Sequence, residues 1–238
     1  MIKSVKVSIR TMAAERAGIR HRTMAEAALD ELRESIVLGE LVPGTPLRLE
    51  DLAASLGMSI SPIREAVRQL EALGLAEHVP HHGAKVVALD VEELRDLFQV
   101  RLALETMAVR RGAERFTEED RERAAELLEQ CVDARARGDL RRAMRAHGGF
   151  HFALYESSRS TWLVRLIRPA WESCERYRAA LLAQQGSLQD RHQEIDQELL
   201  EACAARNAER AADALYRHLE LFGDFYSREL GGRGIFQD

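Results

Sequence analysis

Four histidines in the second half of the chain carry its most evident chemistry. His147 and His151 stand in HGGFH, four residues apart. On a helix that spacing projects both imidazoles from one face, one turn apart, so that two ring nitrogens can reach a single metal ion. His192 opens a different helical segment, DRHQEIDQEL, and His218 sits in a third, LYRHLELF. A pair on one helix with single ligands on two others is a common way for helical bundles to build metal centres. The apolar spacing favours an inward orientation, because His151 shares a face with Leu154 and Tyr155, and His218 with Leu215 and Leu221. The alternative for the same residues is a set of unrelated core histidines, each satisfied by hydrogen bonds. Glu194 and Asp196 follow His192, but the helical reading turns both away from its face, which leaves four imidazoles as the candidate set. No HExxH or similar motif supplies the positioned acid or base of a metal-dependent enzyme.

A second chemistry lies in the stretch from Leu49 to Val87. A short apolar-periodic helix (Leu49, Leu52, Ala53, Leu56) ends at Gly57, and the turn Met58-Ser59-Ile60-Ser61 follows. A second helix carries Pro62 in its first turn and runs through Arg64, Val67, Leu70 and Leu73. Two helices at a tight turn, followed by a small hairpin, read as a winged helix-turn-helix for double-stranded DNA. Ser59 and Ser61 suit phosphates near a helix N-terminus, and Arg64 and Arg68 suit base or phosphate groups. In the hairpin, His82, Gly83 and Lys85 are placed to reach a groove or the backbone. Arg64 could instead pair with Glu65 or Glu71, and Lys85 could be a solvated wing residue.

Charge does not simply agree with DNA binding. Residues 23–88 hold 5 basic and 10 acidic residues, whereas residues 1–22 hold 6 and 1. A general basic field is therefore excluded for the reader, and affinity must come from locally placed groups. The first 22 residues read as a flexible basic leader or as an arm that touches phosphates.

These groups must be positioned by helices. Only 5% of the residues are aromatic, Ala and Leu dominate the apolar set, and Gly and Pro are sparse, which favours helix over strand. Thr23 begins the first helix, and Pro43-Gly44 and Pro46 mark a connector. From Asp90, with Glu93 as a capping box, the chain reads as six helices near 90–115, 117–137, 139–158, 160–184, 188–205 and 207–230. Pro169 should kink the fourth or mark its start. The organisation expected is a leader (1–22), a winged helix-turn-helix (23–89) and an all-α antiparallel bundle (90–231). Cys131, Cys174 and Cys203 are far apart and form no CxxC pair, so neither a disulfide framework nor a zinc ribbon is expected. No apolar run reaches the ~18 residues of a spanning helix, and the N-terminal stretch lacks an apolar signal core. A reducing cytoplasm is the simplest home.

Taken together, these segments resemble the GntR family of transcription regulators, in its FadR subfamily with an FCD-type effector domain. The resemblance covers about residues 23–230. In SISPIREAVRQLEALGL it is close at Ser59, Pro62, Arg64, Glu65, Ala66, Leu70, Gly74 and Leu75, and HHGAKVV resembles the family's wing. VRLALETMAVRRGA resembles its first effector helix, HGGFHFALYESS the segment with two metal ligands, and RHQEI and RHLEL those with the third and fourth. It implies a homodimer on a near-palindromic site, regulated by a small effector. By family analogy Arg101, near the mouth of the bundle, pairs with an effector carboxylate, although Glu105 at i+4 is a rival partner. The resemblance also implies repression. There are two departures. Ile60 stands where the family usually has arginine, and His147 where it usually has aspartate. An all-histidine set suits Zn²⁺ or Ni²⁺ better than harder ions such as Mn²⁺; alternatively His147 does not ligate. A metal-responsive regulator without an organic effector is the runner-up.

Overall fold

The structure, a computed structural model, describes residues 23–181 and 188–236. The basic leader lies outside the described residues. Helix α1 (Met24–Val37) starts at a reciprocal capping box between Thr23 and Glu26 and buries Ala28, Leu32 and Ile36. Helix α2 (Leu49–Leu56) stops at Gly57, whose φ of 63° is the left-handed conformation that a glycine adopts without steric cost. Helix α3 (Ile60–Ala72) follows after the short turn and buries Ile63, Ala66, Val67 and Leu70 against α1 and α2. Strands β1 (Ala76–Val79) and β2 (Gly83–Val86) pair antiparallel, with Ala76 opposite Val86 and Val79 opposite Gly83. A bridge from Pro46 to Lys85 ties the connector to this wing.

The rest is helical. Helices α4 (Val91–Glu114), α5 (Glu118–Ala136), α6 (Leu140–Glu156), α7 (Thr161–Leu181), α8 (Leu188–Ala204) and α9 (Ala208–Glu229) form the bundle. Thr117 and Asp139 cap α5 and α6 as their sequence positions suggest. Asp90 caps α4 but only half of the expected box forms: the Glu93 carboxylate accepts instead from Arg176 and Tyr177. Pro169 does not begin α7, which is continuous through it. The segment after α9 turns back, and Ile235 and Phe236 donate their amides to Asp224 while Phe236 stacks edge-on against Phe98. The helical unit thus continues past the expected boundary at 231.

Two separate hydrophobic cores result, one around Leu32, Ile63, Leu70 and Val86, the other around Phe98, Phe150, Tyr155, Leu199 and Leu215. Polar contacts join them. Arg145 and Arg141 reach Glu34, at 2.7 and 3.6 Å, and Arg141 also meets Glu40. Arg33 on α1 meets Glu172 on α7 at 3.3 Å. The three cysteines are free and buried.

Candidate metal centre and DNA-reading face

The second core contains a polar knot. Helix α6 supplies His147 and His151, α8 supplies His192 and Asp196, and α9 supplies His218; all five are buried, and one ligand atom from each lies within 4.8 Å of every other. His147 Nε2 stands 3.0 Å from His192 Nε2 and 3.2 Å from His151 Nε2. Asp196 sits among them, with Oδ1 3.3 Å from His151 Nε2 and 3.0 Å from His218 Nδ1, and Oδ2 3.3 Å from His192 Nε2. Neighbouring ligands of an ion held at ~2.1 Å stand ~3.0–3.4 Å apart, and the shorter contacts in the cluster fall in that range. Asp196 Oδ1 and His218 Nδ1 have no aligned hydrogen-bond partner despite complete burial. Buried polar atoms are normally satisfied, and a shared cation satisfies both. The residues present therefore fit a divalent metal.

The backbone explains why α6 comes so close to its neighbours. A methyl group at Gly149, between the two histidines, would stand 3.0 Å from Leu127 Cδ2 on α5. The electrostatics follow from burial. Desolvation, followed by the Arg178 charge, holds His147 well below the ordinary imidazole range. Desolvation, then the His218 charge, pushes His151 down to about 4, against an opposing pull from Asp196. His192 is likewise held low, mainly by burial. Burial by itself would raise Asp196, but the surrounding imidazoles outweigh it and keep the carboxyl well below its usual range. Neutral His147, His151 and His192 beside an ionised Asp196 are protonation states that metal binding requires.

Beside the knot lies a cavity of about 20 Å³, bordered by Arg101, Trp171, Glu175, Arg178, His218 and Phe222 among others. That is room for little more than one water. Arg101 is buried, not at an open mouth. It pairs with Glu105 through Nε at 2.6 Å and Nη2 at 3.3 Å, and lies over Trp171. Tyr155 also donates to Glu105, at 2.7 Å. Arg178 donates through Nη1 to His147 Nδ1 at 2.6 Å.

In the N-terminal unit, Ser59, Ser61, Arg64 and Arg68 line one shallow surface groove at the start of α3, together with Met24 and Ala25 at the start of α1. All four are exposed. Arg64 forms no ion pair among the described residues, because Glu65 engages Arg68 and Gln69 while Glu71 faces His78. Ser59 stands at the N-cap without a side-chain cap bond, which leaves its hydroxyl available. On the wing, His82 and Gly83 are exposed, whereas Lys85 is half-buried and pairs with Glu77 at 3.2 Å.

Two family models match the chain. Residues 24–86 match the gntR family of bacterial regulatory proteins, and residues 96–221 match the FCD domain. The chain belongs to the GntR family. A probable D-xylose utilization operon transcriptional repressor of Paenarthrobacter nicotinovorans is 30% identical over 212 residues, which span 88% of this chain and 92% of that protein. The HTH-type transcriptional regulator McbR of Escherichia coli (strain K12) is 29% identical over 153 residues, 64% of this chain and 69% of its own length. The solved structure of E. coli McbR/YncC superposes with a TM-score of 0.79 at 26% identity, covering 87% of this chain and 99% of that one. These relatives are transcription regulators, not enzymes. The GntR unit indicates DNA binding and the FCD unit a small-molecule effector.

For this GntR regulator the four sequence-nominated histidines lie together, and Ser59, Ser61, Arg64 and Arg68 are exposed together at the start of α3. The exclusion of Asp196 is overturned. It lies four residues after His192, the same helical spacing as His147 to His151, so both project from one face of α8. Arg101 reaches the cavity, but its guanidinium is already held by its i+4 partner. The residue that sequence reasoning missed altogether is Arg178, which touches the site only because of how α7 is rotated.

Proposed function

We propose that this GntR regulator is a metal-containing, effector-responsive repressor that grips a near-palindromic operator as a homodimer. Ser59, Ser61, Arg64 and Arg68 of α3 enter the major groove, and His82, Gly83 and Lys85 of the wing contact the adjacent groove or backbone. His147, His151, His192 and His218 hold a divalent transition metal together with Asp196. The donor set of imidazoles and one carboxylate suits Zn²⁺ or Ni²⁺. When bound, the ion would act as a Lewis acid, and five protein donors would leave at most one position for a small carboxylate effector. The chain's own residues hold the site in shape: Glu105 fixes Arg101, and Trp171 and Phe222 wall the cavity. Val100 and Met107 on α4, and Trp162 and Leu166 on α7, are exposed apolar residues that support a second copy as partner. Repression is supported by relatives named as repressors.

The observation that carries the reading is the buried five-residue knot in which two ligand atoms lack an aligned hydrogen bond. The test combines a Zn²⁺ titration, followed by elemental analysis, with operator binding on a duplex selected from a random pool. One ion per chain is expected, with uptake weakened at least about tenfold in Asp196→Asn. Arg64→Ala should cost about 1–3 kcal/mol on the selected duplex. No metal uptake, or an unchanged sequence preference in the arginine variant, would refute the corresponding half. The small cavity favours a second reading, a metal-responsive regulator without an organic effector. Chelation alone should then switch operator affinity, and no metabolite should.

A further inference from the structure

Two guanidinium groups border the cavity, and they are not equivalent. Arg101 is saturated by the Glu105 carboxylate. Arg178 is not: its contacts to both oxygens of Glu175 are 3.4 Å long, and its Nε is buried without a partner. Its one short bond is the 2.6 Å contact to His147 Nδ1.

That bond has a chemical consequence. Arginine is always a donor, so Nδ1 of His147 must be the bare, accepting nitrogen. The ring proton then sits on Nε2, the atom that faces His151, His192 and Asp196. A neutral imidazole that ligates through Nε2 carries its proton on Nδ1 instead. Donor would then face donor at 2.6 Å. The arrangement with Arg178 on His147 and the arrangement with a metal on His147 Nε2 exclude each other. Arg135 opposes His192 Nδ1 in the same sense but at 3.4 Å, and it is half-buried, so it can withdraw toward solvent. Arg178, 6% exposed, borders the cavity instead of solvent.

We propose that Arg178 is the receptor for a carboxylate ligand and that metal binding releases it for this role, so that the ion and the anion bind with positive cooperativity. The proposal rests on the metal reading above and assigns the anion contact to Arg178 in place of Arg101. Charge balance agrees. Arg101 with Glu105 and Arg178 with Glu175 cancel in pairs, Asp196 offsets one charge of a divalent ion, and a net positive charge, to which half-buried Arg135 adds, remains for a small anion.

The experiment is a calorimetric titration of Zn²⁺ into the metal-free full-length protein, with and without sodium acetate as the minimal carboxylate. Wild type, Arg178→Met and Glu175→Gln are compared. Arg178→Met removes the opposed donor and should bind Zn²⁺ about tenfold more tightly than wild type without acetate. Acetate should tighten Zn²⁺ binding to wild type about fivefold or more, and have no such effect in Arg178→Met. Glu175→Gln frees the guanidinium from its counter-ion, so the acetate effect should grow; it decides the matter should Arg178→Met fail to fold. An absent acetate effect in wild type, an equal one in Arg178→Met or an unchanged one in Glu175→Gln overturns the assignment while leaving the metal site standing. A wild type that takes up no Zn²⁺ overturns the metal reading itself, and the release mechanism with it.

Discussion

Asp196 changes the chemistry of the histidine knot more than any single imidazole does. It supplies the negative charge that an all-histidine set lacks, and it does so from α8, while His147 occupies the α6 position where the family usually places aspartate. The signal for it was legible, since the i,i+4 rule that paired His147 with His151 applies equally to His192 and Asp196. The contact of Arg178 was not legible, because no spacing in the chain encodes the rotation of α7 about its axis. The depressed imidazoles also set a pH dependence. His151 falls from the ordinary 6.5 to about 4 in the fold, chiefly through burial. Below pH 6.5 the unfolded chain takes up a proton that the folded ring refuses, so the unfolded state binds more protons and stability falls with pH. The metal-free protein should therefore lose melting temperature between pH 6.5 and 4. A flat profile by circular dichroism across that window would contradict the burial argument.

At the scale of elements, α7 is where the two halves of the molecule meet. Trp171, Glu175 and Arg178 border the cavity. On an adjoining face of the same helix, Glu172 pairs with Arg33 of α1, and Arg176 bonds the Val87 carbonyl at the end of the wing. Gly39, just past α1, approaches Ala179 so closely that an added methyl group would stand 3.3 Å from its Cβ. The helix that carries Arg178 is therefore in direct contact with α1 and the residues that flank it. Arg33→Ala removes one of these links. The pair is partly exposed, so stability should change by only about 0–1 kcal/mol. The difference in operator affinity between metal-free and metal-loaded protein, measured by fluorescence anisotropy, should shrink. An undiminished difference would place the coupling elsewhere. Caps and breaks made most of these helices readable in advance: Thr117, Asp139 and Gly57 act locally, and local chemistry is what a sequence states plainly. Glu93 misled because a tertiary partner, Arg176, outcompeted its own backbone. Pro169 does not mark the start of its helix, because packing can hold a helix through the loss of one hydrogen bond.

At the scale of the molecule, the winged unit and the bundle were separable in the sequence because each has its own apolar periodicity, and the structure keeps their cores distinct. What the sequence could not display is the join, which depends on charges far apart in the chain: Arg145 and Arg141 with Glu34, and Arg33 with Glu172. Such partly exposed ion pairs are screened by salt over a Debye length of about 10 Å at 0.1 M. Scanning calorimetry should accordingly show two unfolding events that draw apart as ionic strength rises. A single transition at all salt concentrations would mean that the cores are coupled by more than these contacts. A seam rich in matched side-chain charges, between cores that stay distinct among the described residues, is also a modular one. The same sensor could be refitted to a different operator-reading head by re-matching a handful of surface residues, leaving both interiors untouched.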